Sequence, residues 1–352
     1  MRKSYVWIVA IIGMATALAG CSKDNDSDWG GGAEENVEIR AKSKALSLEV
    51  STKAPFEGTI SSSNTLTARV LTSTSTGDYS SLHSNGKMTF GTNGTDSVAY
   101  TTGTDSGFSG SAFYPGDQTL YFAGLYPADT WSNIGTTATY TVDGKSDIMS
   151  AAQQSDKKGG NAPTLAFNHL LTKLEISVKA DDAAAVDAWG KITDMTLVKI
   201  SNGNNPNKLA TVTLSTGAAT FSSSTTDSIP FYIYDSTTPA YTDNAVAALT
   251  ETAITIPTTA GKVAYSMVTP VAIAADTDAS VTNAYTIALK TTKNTNWTNV
   301  PVTITKGTGS LTFTNTAGYS FNITLTFKGS VITAKATVTE WVDGGTGAGD
   351  VI

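Results

Sequence analysis

The chain has 352 residues, enough for two domains of ordinary size, each with its own core. Only 15% of the residues are charged and the formal net charge is −7, which argues against nucleic acid as a partner, because phosphate binding needs clusters of lysine and arginine. A single cysteine excludes an intramolecular disulfide and any metal site that needs several cysteines.

The first twenty residues have the features of an export signal. Two basic residues precede the apolar run Val6–Leu18, which is shorter than the ~20 residues of a typical membrane-spanning helix. The stretch Leu18–Cys21 resembles the lipobox of bacterial lipoproteins, in which the cysteine is lipidated and becomes the mature N-terminus. We therefore expect residues 1–20 to be a signal peptide and Cys21 to attach the protein to a membrane through its lipid. The alternative is an ordinary signal peptide that happens to end before a cysteine.

An acidic, glycine-rich segment follows, and residues 21–36 are predicted to be a disordered tether. The segment resembles the acidic signals that direct some lipoproteins to the outer face of the outer membrane, and a plain spacer is the alternative. Its alternating aspartates also resemble a calcium loop, but Trp29 stands where such a loop needs glycine. No metal site is predicted here.

The first predicted strand ends beside a potential protease site. Leu46, Leu48 and Val50 alternate with polar residues, which is the period of a half-buried strand. Lys53 and Ala54 follow in a polar stretch that a trypsin-like protease could reach. The question is whether this strand stays in the folded protein or is made to be removed.

Several short polar segments in the following part of the chain are typical of turns or linkers. Asn85–Gly86 and Asp143–Gly144 are each predicted to form a hairpin turn. The polar segment Gln153–Pro163 is predicted to be a linker between two domains. This places an N-terminal domain at residues 37–158 and a C-terminal domain at residues 159–352.

Strand patterns dominate both halves. Thr119–Ala128 is predicted to be a buried, aromatic-rich strand, and apolar residues alternate with polar ones at 174–178 and again at 321–327 and 332–338. The alanine-rich piece Asp181–Trp189 is predicted to hold a helical turn. Many short strands without long amphipathic helices favour an all-β protein built from β-sandwiches.

The sequence offers little chemistry. The two histidines, His83 and His169, fall in different predicted domains, so a metal site with several histidines in one domain is not expected. The sequence has no His-Glu-x-x-His, Gly-x-Ser-x-Gly or phosphate-loop motif, and no catalytic residue, metal site or cofactor site is predicted. The aromatic run Phe231–Tyr234 suggests either a packed strand or a platform for stacking sugars. Scattered carboxylates leave a glycosidase open, since their spacing is not visible in sequence.

The order of these features resembles the fimbrillin family, the subunits of type V pili that certain Gram-negative bacteria export as lipoproteins. The segments that carry the resemblance are Leu18–Cys21, Ser47–Gly58, Tyr121–Ala128, Ser146–Ala151, Phe167–Val178, Ala317–Phe327 and Ala336–Ile352. The resemblance implies an all-β fold with two tandem β-sandwich domains of transthyretin-like topology. It also implies a non-enzymatic subunit of adhesive cell-surface fimbriae, an outer membrane lipoprotein until it is processed.

In that family a trypsin-like protease cuts after a basic residue that follows the first strand, and a strand from a neighbouring subunit fills the vacated groove. Applied to this chain, residues 37–53 would be the removable segment, released by cleavage between Lys53 and Ala54. Because the family commonly has arginine before the cut, Arg40 is the alternative site, although cleavage there would leave the predicted strand attached.

The resemblance also implies polymerisation with identical or different fimbrial subunits. The donor is predicted to be the tail, residues 342–352, with Val342, Val351 and Ile352 as its apolar anchors. The role as stalk, tip or anchor subunit and the surface ligand stay open. The rival hypothesis is a monomeric, glycan-binding surface lipoprotein that keeps its lipid and its first strand.

Overall fold

The computed structural model describes Ile39 and residues 42–45, 65–90, 99–101, 113–200, 203–222, 228–237, 240–247, 249, 253–271, 280–305 and 316–340. All described residues belong to one compact unit, residues 36–352. Their elements are β1 (Lys42–Ala45), β2 (Leu66–Ser73), β3 (Ser84–Phe90), β4 (Ala99–Thr101), β5 (Leu120–Tyr126), β6 (Thr137–Thr141), β7 (Met149–Asp156), β8 (Thr164–His169), β9 (Thr172–Ala180), α1 (Ala183–Trp189), β10 (Lys191–Ile200), β11 (Leu209–Thr213), β12 (Ala219–Ser222), β13 (Ile229–Pro230), β14 (Tyr232–Asp235), β15 (Ala240–Ala245), β16 (Ile254–Thr255), β17 (Gly261–Val268), β18 (Ser280–Thr291), β19 (Thr298–Thr305), β20 (Tyr319–Phe327) and β21 (Ile332–Glu340).

Seven strands of the first half form one sheet in the order β1-β8-β7-β5-β2-β3-β4. Every neighbouring pair in this sheet is antiparallel except β1 and β8, which are parallel. The middle strands are buried on both faces: Leu66 and Val70 of β2 lie in one apolar cluster, and Leu71 lies in another. The sheet is therefore covered on both sides along its centre.

The second half forms a larger sheet that nearly closes on itself. Its order is β13-β10-β18-β19-β21-β20-β9-β17-β14-β15, with β16 paired to β10. β13 lies at one end of this order and β14 next to the other end, yet only Phe231 separates them in sequence. The amide of Phe231 donates to Met195 O and its carbonyl accepts from Val246 N. These bonds bring the two ends of the sheet together.

A third sheet joins the two halves of the chain. The hairpin β11–β12 comes from the second half, and β11 pairs antiparallel with β6 of the first half, from Leu209↔Thr141 to Thr213↔Thr137. Ala210 and Val212 of this hairpin are fully buried in the larger apolar cluster, together with Leu71 and Leu125 of the first sheet. The hairpin thus covers one face of the first sheet, and the chain is one unit across this region.

The all-β class predicted from the sequence is confirmed. The described residues contain one helix, α1, whose N-cap residue Asp182 accepts a bond from Ala185 N at 2.8 Å, as expected for the predicted helical turn. No helix in the described part of the chain is long and apolar enough to cross a membrane. Two tandem domains with transthyretin-like topology stay a prediction.

The predicted linker Gln153–Pro163 lies within a sheet rather than between sheets. β7 continues to Asp156 and β8 begins at Thr164, and these two strands are antiparallel neighbours in the first sheet. The boundary placed between residues 158 and 159 therefore falls in a connection that holds one sheet together. A polar, glycine-containing stretch marks a turn, and sequence alone does not distinguish a turn from a linker.

Both predicted hairpin turns differ from the structure. Asn85 and Gly86 lie inside β3, where they pair with Leu71 and Val70, so this prediction was wrong. Pairing with a buried strand outweighs the local turn preference of the dipeptide, and Asn85 also accepts a bond from Arg69 Nε at 2.8 Å. Gly144 does adopt the left-handed conformation of a turn, at φ +85°, but the turn connects two different sheets.

Gly124 makes room for the ring of Phe167 at the centre of the first sheet. A Cβ atom at position 124 would lie 2.6 Å from Phe167 Cζ and 3.2 Å from Ala151 Cβ. Phe167 is 1% exposed and its ring packs edge-on against Phe90 at 5.7 Å, so it has little space to move away.

We expect Gly124→Ala to lower the free energy of unfolding by about 1–3 kcal/mol, the usual cost of overpacking a core. Urea unfolding followed by circular dichroism measures this change. Gly261→Ala is the matched control, because nothing lies within 4 Å of a Cβ added there. Equal midpoints for the two variants would contradict the close packing of Phe167 over Gly124.

Candidate strand-replacement site

The N-terminal strand β1 lies at the edge of the first sheet and has a single neighbour among the described strands. It pairs in parallel with β8 over four residues, from Lys42↔Thr164 to Ala45↔Phe167. Because β1 lies at an edge of the sheet, its removal would expose unpaired backbone groups along one strand, β8.

The pairing of β8 is divided between its two neighbours. β7 pairs only with the end of β8, through Met149↔His169, Ser150↔Asn168 and Ala151↔Phe167. The first three residues of β8, Thr164–Ala166, have β1 as their ladder neighbour among the described strands. The start of β8 therefore depends on β1 for its sheet pairing.

Beneath β8 lies an apolar cluster that an N-terminal residue helps to fill. Leu165 and Phe167 alternate with exposed residues along β8 and are buried in this cluster. Ile39, three positions ahead of β1, is 0% exposed and belongs to the same cluster. The cluster, which we call the lower core, comprises Ile39, Leu66, Ala68, Val70, Met88, Phe90, Tyr114, Leu120, Phe122, Met149, Ala151, Leu165 and Phe167.

A tyrosine and a carboxylate lie at the margin of the lower core. Tyr114 Oη donates to Asp156 Oδ2 at 2.6 Å, and the Tyr114 ring lies 6.5 Å from that of Phe122. Burial, followed by the hydrogen bond to Asp156 and its charge, raises the pKa of Tyr114. The hydroxyl therefore stays protonated and donating at neutral pH, which ties β7 to the segment before β5.

A second polar pair stabilises the other end of β8. His169 Nδ1 lies 2.8 Å from Asp147 Oδ2, with the aspartate side chain 1% exposed, and Leu170 N donates to Ile148 O at 2.9 Å. These bonds hold the connection from β8 to β9. In the other half of the sheet, His83 Nε2 lies 2.8 Å from Phe113 O.

The described residues do not bring together a multi-ligand metal site, since no group of three or more His, Cys, Asp or Glu side chains converges within them. The aromatic run is a packed strand: Phe231 is 0% exposed, and Tyr232 and Tyr234 lie half-buried against the larger core. Tyr232 lies 6.0 Å from the ring of Tyr265, and Lys262 Nζ lies 4.9 Å from the Tyr234 ring centre.

Most residues predicted to act in processing or assembly lie outside the described residues: Cys21, Arg40, Leu46, Leu48, Val50, Lys53, Ala54, Val342, Val351 and Ile352. The roles assigned to them stay predictions. The described first strand ends where the predicted alternation begins, since β1 covers Lys42–Ala45. Ile39 was missed, although the alternation in Val37-Glu38-Ile39-Arg40 carries the same period.

The family model described as fimbrillin-like matches residues 52–341. The chain belongs to the fimbrillin-like family. No curated protein shows significant similarity to this fimbrillin-like chain.

Solved structures from Bacteroides species match this chain. A candidate cell adhesion protein from Bacteroides ovatus is 12% identical with a TM-score of 0.50, over 88% of this chain and 99% of that one. A candidate cell adhesion protein from Bacteroides uniformis is 18% identical with a TM-score of 0.49, over 86% and 98%. A fimbrial protein from Bacteroides vulgatus is 16% identical with a TM-score of 0.39, over 86% and 99%. At these identities the likeness to the first of them concerns the fold alone.

Buried tyrosines predict how the stability of this fimbrillin-like chain depends on pH. Burial raises the pKa of Tyr79, Tyr114, Tyr126, Tyr265 and Tyr285 well above the ordinary value of 10.0. A tyrosine whose pKa is higher in the folded than in the unfolded state contributes its full stabilisation at pH values below the unfolded pKa. This contribution is lost as the pH rises through the folded pKa.

We expect the free energy of unfolding in urea to fall as the pH rises above about 10, with Tyr285→Phe showing a shallower decline. In a titration followed by tyrosinate absorbance at 295 nm, we expect two groups of tyrosines. The group that ionises at higher pH should do so together with unfolding. A single titration of all 13 tyrosines near pH 10 in a folded protein would contradict this assignment.

Proposed function

We propose that the protein is a non-enzymatic structural subunit of cell-surface fimbriae that mediates adhesion. The precursor is attached to the outer membrane through a lipid on Cys21 and loses its N-terminal strand to a trypsin-like protease. Strand exchange then joins it to other fimbrial subunits, identical or different. Membership of the fimbrillin-like family over residues 52–341 supports this proposal.

The observation that carries the proposal is the edge position of β1. A four-residue parallel ladder to β8 is the whole of its sheet pairing among the described strands. A strand in the interior of a sheet would leave two unpaired neighbours when removed, whereas an edge strand leaves one. The remaining sheet keeps β8 attached to β7, so a segment from another chain meets a preformed edge.

The energetics favour replacement over simple loss. Without β1 and Ile39, the start of β8 has unpaired backbone groups and the lower core has an apolar vacancy, and each of these destabilises the protein. An incoming strand restores the same ladder and the same burial, so the exchange is nearly balanced. Proteolysis makes it directional because it removes the competing strand that belongs to the same chain.

Cleavage at the predicted site tests the first step of this scheme. We expect Lys53→Ala to keep the protein at the cell surface with its N-terminal segment intact and to abolish polymers, because a trypsin-like protease needs a basic residue before the cut. Edman sequencing of protein sheared from the surface should give Ala54 as the first residue in the wild type.

Arg40→Ala is the matched control, since it removes the alternative basic site and should leave both the cleavage and the polymers unchanged. Loss of processing in Arg40→Ala with normal processing in Lys53→Ala would move the cut to Arg40. A blocked, lipidated Cys21 on all surface protein would contradict maturation by cleavage and favour the monomeric lipoprotein.

The tail provides a separate test of the donor. We expect deletion of residues 342–352 to abolish the high-mass ladders seen on gels of unheated samples, because the donor strand is lost, while the circular dichroism spectrum and the cleavage stay as in the wild type. Undiminished ladders in this variant would refute the tail as the donor strand.

A further inference from the structure

The N-terminal segment makes two contacts of different kinds with the rest of the protein. β1 supplies the backbone ladder to Thr164–Ala166 and Phe167, and Ile39 supplies a side chain to the lower core. The ladder uses main-chain groups, which any residue except proline supplies, and the two positions opposite buried Leu165 and Phe167 carry only the small residues Ser43 and Ala45. The Ile39 contact depends on the side chain, so it is the contact that can distinguish one occupant from another.

The location of Ile39 sets a spacing rule. It lies three positions before Lys42, the first residue of the ladder. Its side chain is fully buried with Leu165 and Phe167, which belong to the strand that β1 pairs with. The anchor residue and the ladder therefore have a fixed separation of three positions in the sequence.

We propose that the position that Ile39 fills in the lower core, which we call the seat, determines which segment can replace the N-terminal strand. An occupant must run parallel to β8 and carry an apolar residue three positions before a proline-free stretch of four residues. This inference rests on the proposed function, since it concerns the strand that replaces β1. It assigns the selectivity to one residue ahead of the strand rather than to the strand itself.

The occupant is a second copy of this chain, and its tail contains a segment that obeys the rule. With Val342 in the place of Ile39, the residues Gly345–Ala348 stand in the places of Lys42–Ala45 and contain no proline. Valine has one methylene fewer than isoleucine, and the glycines cost conformational entropy on ordering, so this segment binds more weakly than the native strand.

A competition experiment with peptides tests the rule on the full chain. A recognition sequence for a site-specific protease is inserted between Lys53 and Ala54, and the purified chain is cut there, unfolded in guanidinium chloride and refolded with an excess of peptide. The probes are the synthetic peptide Asn36–Val50 and its variants Ile39→Ala and Lys44→Ala. Native mass spectrometry counts how much of each peptide is incorporated.

The Ile39→Ala peptide should be incorporated at least about tenfold less than the wild-type peptide, as expected for deleting most of a buried isoleucine side chain. The Lys44→Ala peptide should match the wild type, because position 44 pairs with Ala166, an exposed residue of β8. In a tail peptide Trp341–Ile352, Val342→Ala should reduce incorporation further.

The outcomes separate this inference from the function on which it rests. Equal incorporation of the wild-type and Ile39→Ala peptides overturns the seat at position 39 and leaves strand replacement intact. No incorporation of any peptide by the cut chain overturns strand replacement itself. Incorporation of the tail peptide that does not depend on Val342 overturns the spacing rule for the donor.

Discussion

The first sheet depends on how the edge of β8 is filled. β7 pairs only with the last three residues of this strand, so among the described strands the start of β8 is paired by the N-terminal segment. Buried backbone groups without partners are costly, and the apolar side chains of the same strand need cover from the same segment. One short stretch of chain thus satisfies both requirements, which is why its replacement is the central step of the proposed assembly.

The rest of the sheet is organised so that this edge can change without the whole protein coming apart. Leu71 and Leu125 lie on the face opposite the lower core, where the β11–β12 hairpin covers them. The polar pair of Asp147 and His169 ties the far end of β8 to the segment just before β7. The edge that the proposed cleavage exposes therefore belongs to a sheet that stays supported from its other face and from its other end.

Periodicity in the sequence was sufficient for the fold class and for strands whose pattern is local. Thr119–Ala128 contains β5, the alternating residues 174–178 lie in β9, and the two C-terminal runs are β20 and β21. Alternation of apolar and polar residues did not mean that the polar face of a strand is exposed to solvent. On the polar face of β9, Lys173 and Glu175 are also buried and form an ion pair at 3.3 Å. The local sequence pattern thus predicts that a segment is a strand. Whether each face of that strand is buried depends on residues elsewhere in the chain.

The errors share one physical cause, which is that strand partners lie far apart in sequence. Asn85–Gly86 has strong turn chemistry, yet β2 and the strands beyond it determine that the chain stays extended there. The supposed linker separates two neighbouring strands, and only the pairing of β7 with β8 reveals this. Ile39 was overlooked because the apolar cluster that buries it includes Leu165 and Phe167, which come more than a hundred residues later in the sequence. The family resemblance supplied the processing scheme, which no local pattern contains.

The hairpin β11–β12 also has a consequence for the order in which the protein folds. Its pairing with β6 joins residues 137–141 to residues 209–213, so one face of the first sheet has no cover until the later segment has emerged and found its place. Such long-range pairings raise the contact order and slow folding, because the entropy of closing the loop is lost before the contacts form. During this interval the apolar faces of the first half stay accessible to chaperones and to other chains. We therefore expect the first half to complete its core only once the β11–β12 hairpin has paired with β6.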